Sequence, residues 1–258
     1  MVSDKEKDTS STSGMETSKA TSDLLKFRAE KLVEPRLAEL EAAFKKKEFD
    51  KFGKLTMQDS NQFHATCLDT YPPIFYLNDV SKAIMRLVHV INEFYGRVVC
   101  AYTYDAGPNA VIYLLENDCP LVMAVMTKYF PAPGKVSSYC NDADFYSKVN
   151  ADMSLIIPEL LAKLDKTGRV PFAGDVKYIF YTKSGPGPIC QPLEESLLDP
   201  VTGLPMPAGS AVYSRHKRMQ ITPVKPTESS AIFFWSLVTA AAAVGVVGGM
   251  LIAKHLKR

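Results

Sequence analysis

Three kinds of side chain in this sequence could do chemistry: a carboxylate between two apolar runs, a pair of neighbouring hydroxyls, and one histidine. Asp105 lies in TYDAGPNA, where a carboxylate can take part in acid–base chemistry or bond to the backbone amides of its own turn. Ser10 and Ser11 precede a helical pattern, where hydroxyls cap helices and backbone amides favour anions. His64 lies on an otherwise apolar helix face without a metal-ligand cluster around it, which favours a packed histidine.

Helical periodicity predicts the elements around the hydroxyl pair and His64. A polar entry segment comes first, and we expect the first helix to begin near Thr17. Apolar residues then recur every three or four positions in three stretches, and Pro35 marks a break between the first two. The three predicted helices cover residues 17–32, 35–46 and 48–70.

Asp105 belongs to a predicted β-hairpin. A fourth helix, capped by Asn78 or Asp79, ends at Gly96 just before it. The apolar face predicted for that helix consists of Ile84, Leu87, Val88 and Ile91. The runs RVVCAYTYD and AVIYLLE are β-branched and aromatic, and AGPN between them is a four-residue turn. Residues 97–116 are therefore predicted to form a hairpin with Asp105 at its tip.

The following segments complete an α+β layer. Helices are predicted at 117–129 and near 150–164, and the run VKYIFYTK predicts a last strand before SGPGP. The GPGP at 185–188 is not expected to bind phosphate, because its prolines lack the amide donors that a phosphate cradle needs.

Composition excludes several classes of function. The chain has 258 residues, is 47% hydrophobic and carries a formal net charge of +2, so no basic field points to nucleic acid. Its five cysteines are far apart and form no CxxC pair, which argues against a disulfide framework and a zinc site. The polar amino-terminal residues cannot act as a secretory signal peptide, so we expect the bulk of the chain to be cytosolic.

The carboxyl-terminal tail predicts a membrane anchor. Residues 207–230 are rich in Pro, Ser, Thr and basic side chains, which predicts a flexible linker. Residues 231–253 carry no charge, and as a helix they would reach roughly 34 Å, enough to cross a hydrocarbon core of about 30 Å. The basic tail at 254–258 ends the chain, so we expect a tail anchor in the mitochondrial outer membrane, peroxisome or endoplasmic reticulum, with the globular part on the cytosolic face. A GxxxG at Gly245 and Gly249 could let two such helices pack.

Long motifs give the sequence a family resemblance. The segments VSDKEKDTSSTSGM, MQDSNQFHATCLDTYPPIFYLNDVSKAI, AYTYDAGPNAVIYLLE, KYIFYTKSGPGP and SLLDPVTGLP resemble the C-terminal domain of mevalonate diphosphate decarboxylases, of the galactokinase, homoserine kinase and mevalonate kinase superfamily. The resemblance implies a ferredoxin-like α+β domain over residues 1–206. It also implies ATP- and Mg²⁺-dependent decarboxylation of mevalonate 5-diphosphate to isopentenyl diphosphate, and a homodimer.

The resemblance implies roles for three residues. Asp105 would lie beside the tertiary hydroxyl of the substrate and accept its proton, and Ser10 and Ser11 would contact the phosphate-bearing end. Met15 is expected to pack beside the site rather than to contact substrate. Asp59, Ser60 and Asn61 are expected to cap the helix or brace the hairpin, and no metal ligand is predicted within the chain.

The sequence lacks the phosphate loop of the PxxxGLxSSA type that the family carries in an N-terminal nucleotide-binding domain. We therefore expect a chain whose activity is incomplete on its own. The alternative is a non-catalytic, membrane-anchored binding module of the same fold. An adjacent reading frame for the phosphate loop would favour the enzyme, and a folded monomer that binds neither ATP nor mevalonate diphosphate would favour the module.

Overall fold

Helices pack around a small antiparallel sheet in the computed structural model, which describes residues 1–5, 7–185, 187–189, 196–199 and 202–205. The residues up to Tyr181 belong to one unit, and the unit that begins at Thr182 is described separately below. In chain order the elements of the first unit are α1 Ser11–Thr21, α2 Asp23–Phe27, a π-helical turn Arg28–Leu32, α3 Val33–Lys45, α4 Phe49–Asp69, α5 Asp79–Tyr95, β1 Cys100–Thr103, β2 Val111–Leu114, a 3₁₀ turn Glu116–Asp118, α6 Cys119–Tyr129, a 3₁₀ turn Val136–Ser138, α7 Ala143–Ala151, a 3₁₀ turn Met153–Leu155 and α8 Pro158–Asp165. The architecture is α+β, as predicted.

The predicted hairpin is confirmed, with a longer loop than expected. Cys100 pairs with Leu114 and Thr103 pairs with Val111, so β1 and β2 are antiparallel neighbours. The connection is the seven residues 104–110 rather than AGPN alone. The ladder ends at Thr103, and backbone groups of the following loop bond to helices α4 and α5 instead.

Helix α4 crosses β1 at close range because of a glycine. A Cβ built on Gly53 would lie 2.7 Å from Val98 Cγ1 and 3.0 Å from Ala101 Cβ. Real Cβ atoms are almost never that close to their neighbours, so a larger side chain would push α4 away from the strand. Gly53 therefore sets the distance from which α4 can reach the hairpin.

Helix α5 begins and ends where the sequence predicts. Asn78 Oδ1 accepts a hydrogen bond from the Ser81 amide (2.9 Å), and the two residues form a capping box. Gly96 ends the helix with a left-handed φ of 64°. The predicted apolar face is buried against the strands: Ile84, Leu87, Val88 and Ile91.

The first helix begins earlier than predicted. It starts at Ser11 instead of near Thr17, because the Ser10 hydroxyl accepts a hydrogen bond from the Ser13 amide (3.1 Å) and caps it. The hydroxyl run is thus the first turn of α1 and not a separate entry segment.

The break predicted at Pro35 is wrong. The helical path breaks at Ser22, whose hydroxyl accepts from the Leu25 amide (3.0 Å) and donates to Asp69 Oδ2 (2.8 Å). From there α2 runs through the π-helical turn into α3. Pro35 lies in the first turn of α3, where a missing amide hydrogen is tolerated.

The helix predicted near 150–164 is confirmed only in its second half, as α8, and a separate helix, α7, ends at Ala151. The Asp142 carboxylate accepts from the Phe145 amide (2.9 Å) and begins α7. Pro158 occupies the first turn of α8, where its fixed φ suits a helix start.

The last predicted strand, VKYIFYTK, is extended but is not part of a ladder. Ile179 makes an isolated parallel bridge with Cys140, and its amide donates to the Tyr139 carbonyl (2.7 Å). The Lys177 amide donates instead to the Met1 carbonyl (2.9 Å). The segment divides its backbone hydrogen bonds between two short stretches, at Met1 and at Tyr139, and each is too short to form a ladder with it. Among the described residues, the sheet therefore has two strands.

The core lies between α5, β1, α6 and α8. Its fully buried members include Leu87, Val99, Ala101, Val125 and Leu160. The four cysteines of the described residues are buried free thiols: Cys67, Cys100, Cys119 and Cys140.

The second unit is described only in part. Leu198 and Pro205 form an antiparallel bridge, and the Gly203 amide donates to the Asp199 carbonyl (2.8 Å) to close the turn between them.

Within the described residues, no helix is long and apolar enough to cross a membrane. The predicted linker, membrane span and basic tail, and the predicted domain boundary at 206, lie outside the described residues.

Candidate active site

The loop 104–110, here called the hairpin tip, is fastened to two helices at its first residue. The Tyr104 amide donates to Ser60 Oγ of α4 (3.0 Å). The Tyr104 hydroxyl donates to the Ser81 carbonyl in the first turn of α5 (3.1 Å). Tyr104 is 3% exposed, so both bonds are made away from water. The residue before Asp105 is therefore held at its backbone and at its ring.

The far side of the hairpin tip is fastened to α5 and to the amino-terminal segment. Ser81 Oγ donates to the Pro108 carbonyl (2.9 Å). Asn109 Oδ1 accepts from the amides of Val2 (2.6 Å) and Ser3 (3.0 Å), and its Nδ2 donates to the Ser3 carbonyl (3.1 Å). The hairpin tip is therefore bonded at both ends to residues outside the hairpin.

Asp105 lies at the exposed top of the hairpin tip. Its carbonyl accepts from the Gly107 amide (2.7 Å), while its carboxylate makes no hydrogen bond to another described residue. A Cβ on Gly107 would lie 3.8 Å from Asp105 Oδ1, so the carboxylate lies close to the Gly107 end of the turn. The carboxylate is thus open to a ligand and is not used to cap its own turn.

Ser10 and Ser11 lie where α1 begins, next to Tyr76. Ser10 caps α1, and its carbonyl accepts from the Tyr76 hydroxyl (3.4 Å). A Cβ on Gly14 would lie 2.4 Å from that same hydroxyl oxygen, so only glycine lets α1 approach Tyr76 this closely. Ser11 is the first helical residue and is half-buried.

Lys7 joins the helix start to the hairpin tip, and the sequence interpretation missed it. Its Nζ donates to Ser11 Oγ (2.9 Å) and to the Ala106 carbonyl (2.5 Å). The ammonium also lies 5.7 Å from the centroid of the Tyr76 ring. The one signal in the sequence is its position three residues before the hydroxyl pair, within an otherwise ordinary polar segment.

The three residues expected to brace the hairpin divide between two tasks. Ser60 and Asn61 do brace it, since Asn61 Oδ1 accepts from the Tyr102 hydroxyl (3.0 Å). Asp59 faces the other way and pairs with Arg28 (2.7 Å) and Arg36 (3.5 Å) of the preceding helical segments.

His64 is packed, as predicted. It is 7% exposed, and burial lowers its pKa from about 6.5 to about 4, against the opposing effect of a hydrogen bond to the Tyr104 backbone. Burial likewise raises the pKa of the nearby Cys67 thiol to about 11, so it is not a nucleophile. Among the described residues, no group of three or more His, Cys, Asp or Glu side chains could hold a metal ion.

The packing of Met15 beside the site stays a prediction. Met15 lies on α1 next to Gly14 with 46% of its surface exposed. The GPGP segment lies partly outside the described residues.

The site therefore has two parts. One part is cationic and hydroxyl-rich: Lys7, Ser10, Ser11 and the first amides of α1, which together suit an anion such as a phosphate. The other part is the Asp105 carboxylate, which can accept a proton. Lys7 connects them, since it contacts both Ser11 and the residue after Asp105.

Comparisons with known proteins identify the family of the chain. The family model for the mevalonate 5-diphosphate decarboxylase C-terminal domain matches residues 1–191. The diphosphomevalonate decarboxylase of Bos taurus is 46% identical over 211 residues, which is 81% of this chain and 50% of the relative. A crystal structure of a mevalonate 5-diphosphate decarboxylase superposes with a TM-score of 0.61 at 42% identity, covering 79% of this chain and 50% of that one. The Trypanosoma brucei enzyme gives a TM-score of 0.55 at 33% identity, covering 62% of this chain and 42% of its own.

This chain spans about half the length of the bovine relative, and the match falls on the domain that the family model describes as C-terminal. The chain belongs to the mevalonate 5-diphosphate decarboxylase family.

Proposed function

We propose that this chain supplies the acid–base and anion-binding part of an ATP-dependent decarboxylation of mevalonate 5-diphosphate to isopentenyl diphosphate. The observation that carries the proposal is the exposed carboxylate of Asp105 on a hairpin tip that Lys7 ties to Ser11. Family membership supports it, since the bovine relative of this family is a diphosphomevalonate decarboxylase.

In the proposed reaction, Asp105 faces the tertiary hydroxyl of the substrate. As that oxygen attacks the terminal phosphorus of ATP, its O–H bond breaks and the proton passes to the Asp105 carboxylate, while ADP leaves. The phosphate group of the new ester then leaves with the electron pair of its C–O bond, while the C–C bond to the carboxylate breaks and releases CO₂. The electrons of that C–C bond form the double bond of the product.

Lys7, Ser10 and Ser11 are proposed to bind a phosphate group of the substrate. The Lys7 ammonium is exposed on the side of α1 where the helix begins, and the helix dipole adds positive potential there. Because Lys7 also contacts the Ala106 carbonyl, a bound phosphate would be held at a fixed distance from Asp105.

Magnesium is proposed to arrive with ATP and to polarise its phosphates. The described residues do not fit a metal site of their own, since they hold no cluster of three metal-ligating side chains. We therefore propose that the nucleotide and its metal ion are held by a companion nucleotide-binding domain.

An exposed apolar shelf beside the site supports such a companion. Leu68 at the end of α4 is 55% exposed, and Tyr71 and Phe75 in the loop that leads to Tyr76 are 78% and 74% exposed. Large exposed apolar side chains close to one another in sequence and near a polar site are typical of a surface that another domain covers.

Three further features are proposed on the sequence. The domain is ferredoxin-like over residues 1–206, the chain forms a homodimer, and residues 231–253 anchor it to a membrane with the site on the cytosolic face. The uncharged length of that segment and its basic end support the anchor.

A second candidate is a non-catalytic, membrane-anchored binding module. Such a module would keep the fold, would bind neither ATP nor mevalonate diphosphate and would not turn substrate over.

The test is an assay for ADP and isopentenyl diphosphate with the full chain in detergent, ATP, Mg²⁺ and mevalonate diphosphate, alone and with the nucleotide-binding half of the bovine relative. We expect turnover only with the companion half. Asp105→Asn should lose at least about a hundredfold in turnover, as loss of a general base does, and Asp144→Asn, an exposed aspartate of α7, should not.

Calorimetry with mevalonate diphosphate separates the two candidates. If the full chain is a folded monomer that binds neither ATP nor mevalonate diphosphate, the binding module is favoured. Turnover that survives Asp105→Asn would contradict the proposed role of this carboxylate.

A further inference from the structure

We propose that Asn109 is a positioning residue: its side chain fastens residues 2–3 to the hairpin tip and thereby fixes where Lys7 places its ammonium. The inference rests on the proposed function for what Lys7 does, since the fastening itself is a feature of the fold. Asn109 acts through Lys7 and is not proposed to contact the substrate.

Asn109 holds the backbone of two successive residues with three hydrogen bonds. Its Oδ1 accepts from the amides of Val2 (2.6 Å) and Ser3 (3.0 Å), and its Nδ2 donates to the Ser3 carbonyl (3.1 Å). A carboxamide carries the same donor and acceptor as a peptide group, so it pairs with this backbone as a neighbouring strand would. The bonds join positions 106 and 107 residues apart, so they set a distance that local sequence does not.

Both sides of this attachment are held by the rest of the fold. The Val2 side chain is 6% exposed and packs in the hydrophobic core. On the other side, Ser81 Oγ at the start of α5 donates to the Pro108 carbonyl (2.9 Å), which belongs to the peptide bond that joins Pro108 to Asn109. Asn109 therefore sets the separation between the amino-terminal segment and the hairpin tip.

Lys7 makes the second attachment between the same two parts. It follows Ser3 by four positions, so its Cα lies within about 14 Å of the backbone that Asn109 holds. Its Nζ donates to the Ala106 carbonyl (2.5 Å) and to Ser11 Oγ (2.9 Å). Because two attachments fix direction as well as position, the path of this segment over the hairpin tip is set only when both are made.

The Lys7 attachment depends on the one at Asn109. Lys7 is exposed, and ordering a long lysine side chain costs conformational entropy, so its ammonium keeps one position only where the backbone that carries it is fixed. A second side-chain tie of this segment, the ion pair between Asp4 and Lys177, is exposed and contributes little.

The first test does not depend on catalysis. The rate at which acetic anhydride acetylates the Lys7 amine is measured by mass spectrometry on the full chain in detergent, with Lys82 as an internal reference. An ammonium held by Ser11 and Ala106 is protected from acetylation, and its release in Asn109→Ala should expose it.

Asn92→Ala is the matched control. Asn92 makes the same set of three bonds at the end of the hairpin opposite the tip. Its Oδ1 accepts from the amides of Val99 (2.8 Å) and Cys100 (3.1 Å), and its Nδ2 donates to the Cys100 carbonyl (2.8 Å). The control therefore removes an equal number of bonds from the fold without releasing the segment that leads to Lys7.

The rate for Lys7 should rise about fivefold in Asn109→Ala, the ratio that the loss of one net hydrogen bond gives, and should stay within about twofold of the parent in Asn92→Ala. No rise in Asn109→Ala, or an equal rise in Asn92→Ala, would overturn the positioning role, because Asn109 would then act only on general stability.

A milder pair of variants covers the case in which Asn109→Ala does not fold. Ser3→Pro removes one of the two amides that donate to Asn109, whereas Ser3→Ala keeps it. Both variants lose the Ser3 hydroxyl, which accepts from the Lys5 amide (3.2 Å), so that loss cancels in the comparison. Lys7 should be acetylated at least about twice as fast in Ser3→Pro as in Ser3→Ala, and equal rates would count against the proposal.

The second test measures turnover with the companion half. We expect Asn109→Ala to raise KM for mevalonate diphosphate at least about fivefold with kcat within about twofold of the parent, whereas a loss of folded protein would lower kcat at constant KM. Lys7→Met should raise KM at least as much, and adding Asn109→Ala to it should raise KM no further, because Asn109 acts through Lys7.

Effects of the two substitutions that multiply, or a fall in kcat alone, would contradict the action of Asn109 through Lys7. If Lys7→Met leaves KM unchanged, or if the parent assembly shows no turnover, the proposed function fails, while the acetylation rates still decide whether Asn109 positions Lys7.

Discussion

Replacing Gly14 with alanine tests the close approach on which the anion-binding part of the site depends. The new Cβ would lie 2.4 Å from the Tyr76 hydroxyl oxygen, about an ångström inside van der Waals contact. Its other neighbours, Ile74 Cδ1 at 3.4 Å and Thr9 Cγ2 at 3.5 Å, are at ordinary contact distance. The clash therefore involves only the Tyr76 hydroxyl oxygen, and Tyr76→Phe, which removes that oxygen, should relieve it.

Two opposing effects set the change in the free energy of unfolding that Gly14→Ala should cause. Alanine within a helix is favoured over glycine by about 1 kcal/mol, whereas a forced overlap in a packed site costs about 1–3 kcal/mol. We expect Gly14→Ala to lower the free energy of unfolding by about 1 kcal/mol. Tyr76→Phe alone removes a long hydrogen bond of 3.4 Å and should cost less than about 1 kcal/mol.

When Gly14→Ala and Tyr76→Phe are combined, the overlap disappears and only the higher helix propensity of alanine remains. It should be at least as stable as Tyr76→Phe, which gives a favourable coupling of about 1–3 kcal/mol between the two positions. The measurement is urea unfolding of the full chain in detergent, followed by far-ultraviolet circular dichroism. A stabilised Gly14→Ala single variant, or costs that simply add in the double variant, would refute the close-approach argument.

Three further predictions concern stability and the tail. Asp59→Ala leaves Arg28, whose side chain is 5% exposed, without the carboxylate that pairs with it, and should lower the free energy of unfolding in urea by about 3–5 kcal/mol. Lys82→Ala, which removes an exposed ion pair with Asp79, should lower it by less than about 1 kcal/mol. Because the folded pKa of His64 is about 4 and the unfolded pKa about 6.5, the unfolded state takes up the proton first as pH falls. Stability should drop by about 3 kcal/mol between pH 6.5 and 4, and His64→Phe should remove this part of the pH dependence. A chain ended after residue 206 should stay in the supernatant when membranes are sedimented, whereas the full chain should pellet with them; equal partitioning would contradict the proposed anchor.

Local signals account for the elements that the sequence predicted well. The capping box at Asn78 and the glycine at Gly96 mark both ends of α5 without reference to the rest of the chain. The hairpin and the place of Asp105 at its tip follow from two β-branched runs around a turn. Each of these depends on residues only a few positions apart, which is the range over which sequence patterns carry information.

The features that were missed depend on distant residues. The segment around Ile179 has a strand-like composition, but its backbone partners lie near Tyr139 and at Met1, and no local pattern indicates that they are too short to form a ladder. Lys7 looks like any exposed lysine until the fold brings the Ala106 carbonyl, 99 positions away, against its ammonium.

Helix α4 is the element that connects these observations. Three consecutive residues point to three neighbours: Asp59 to Arg28 in the amino-terminal helices, Ser60 to Tyr104 and Asn61 to Tyr102 in the hairpin. Successive residues on a helix lie about 100° apart, so this set of partners is possible only if α4 has one rotation about its axis. A small rotation of α4 would break both the buried ion pair between Asp59 and Arg28 and the hydrogen bond from the Tyr104 amide to Ser60. The placement of the peptide before the proposed catalytic carboxylate therefore depends on the packing of a 21-residue helix as well as on the loop on which Asp105 lies.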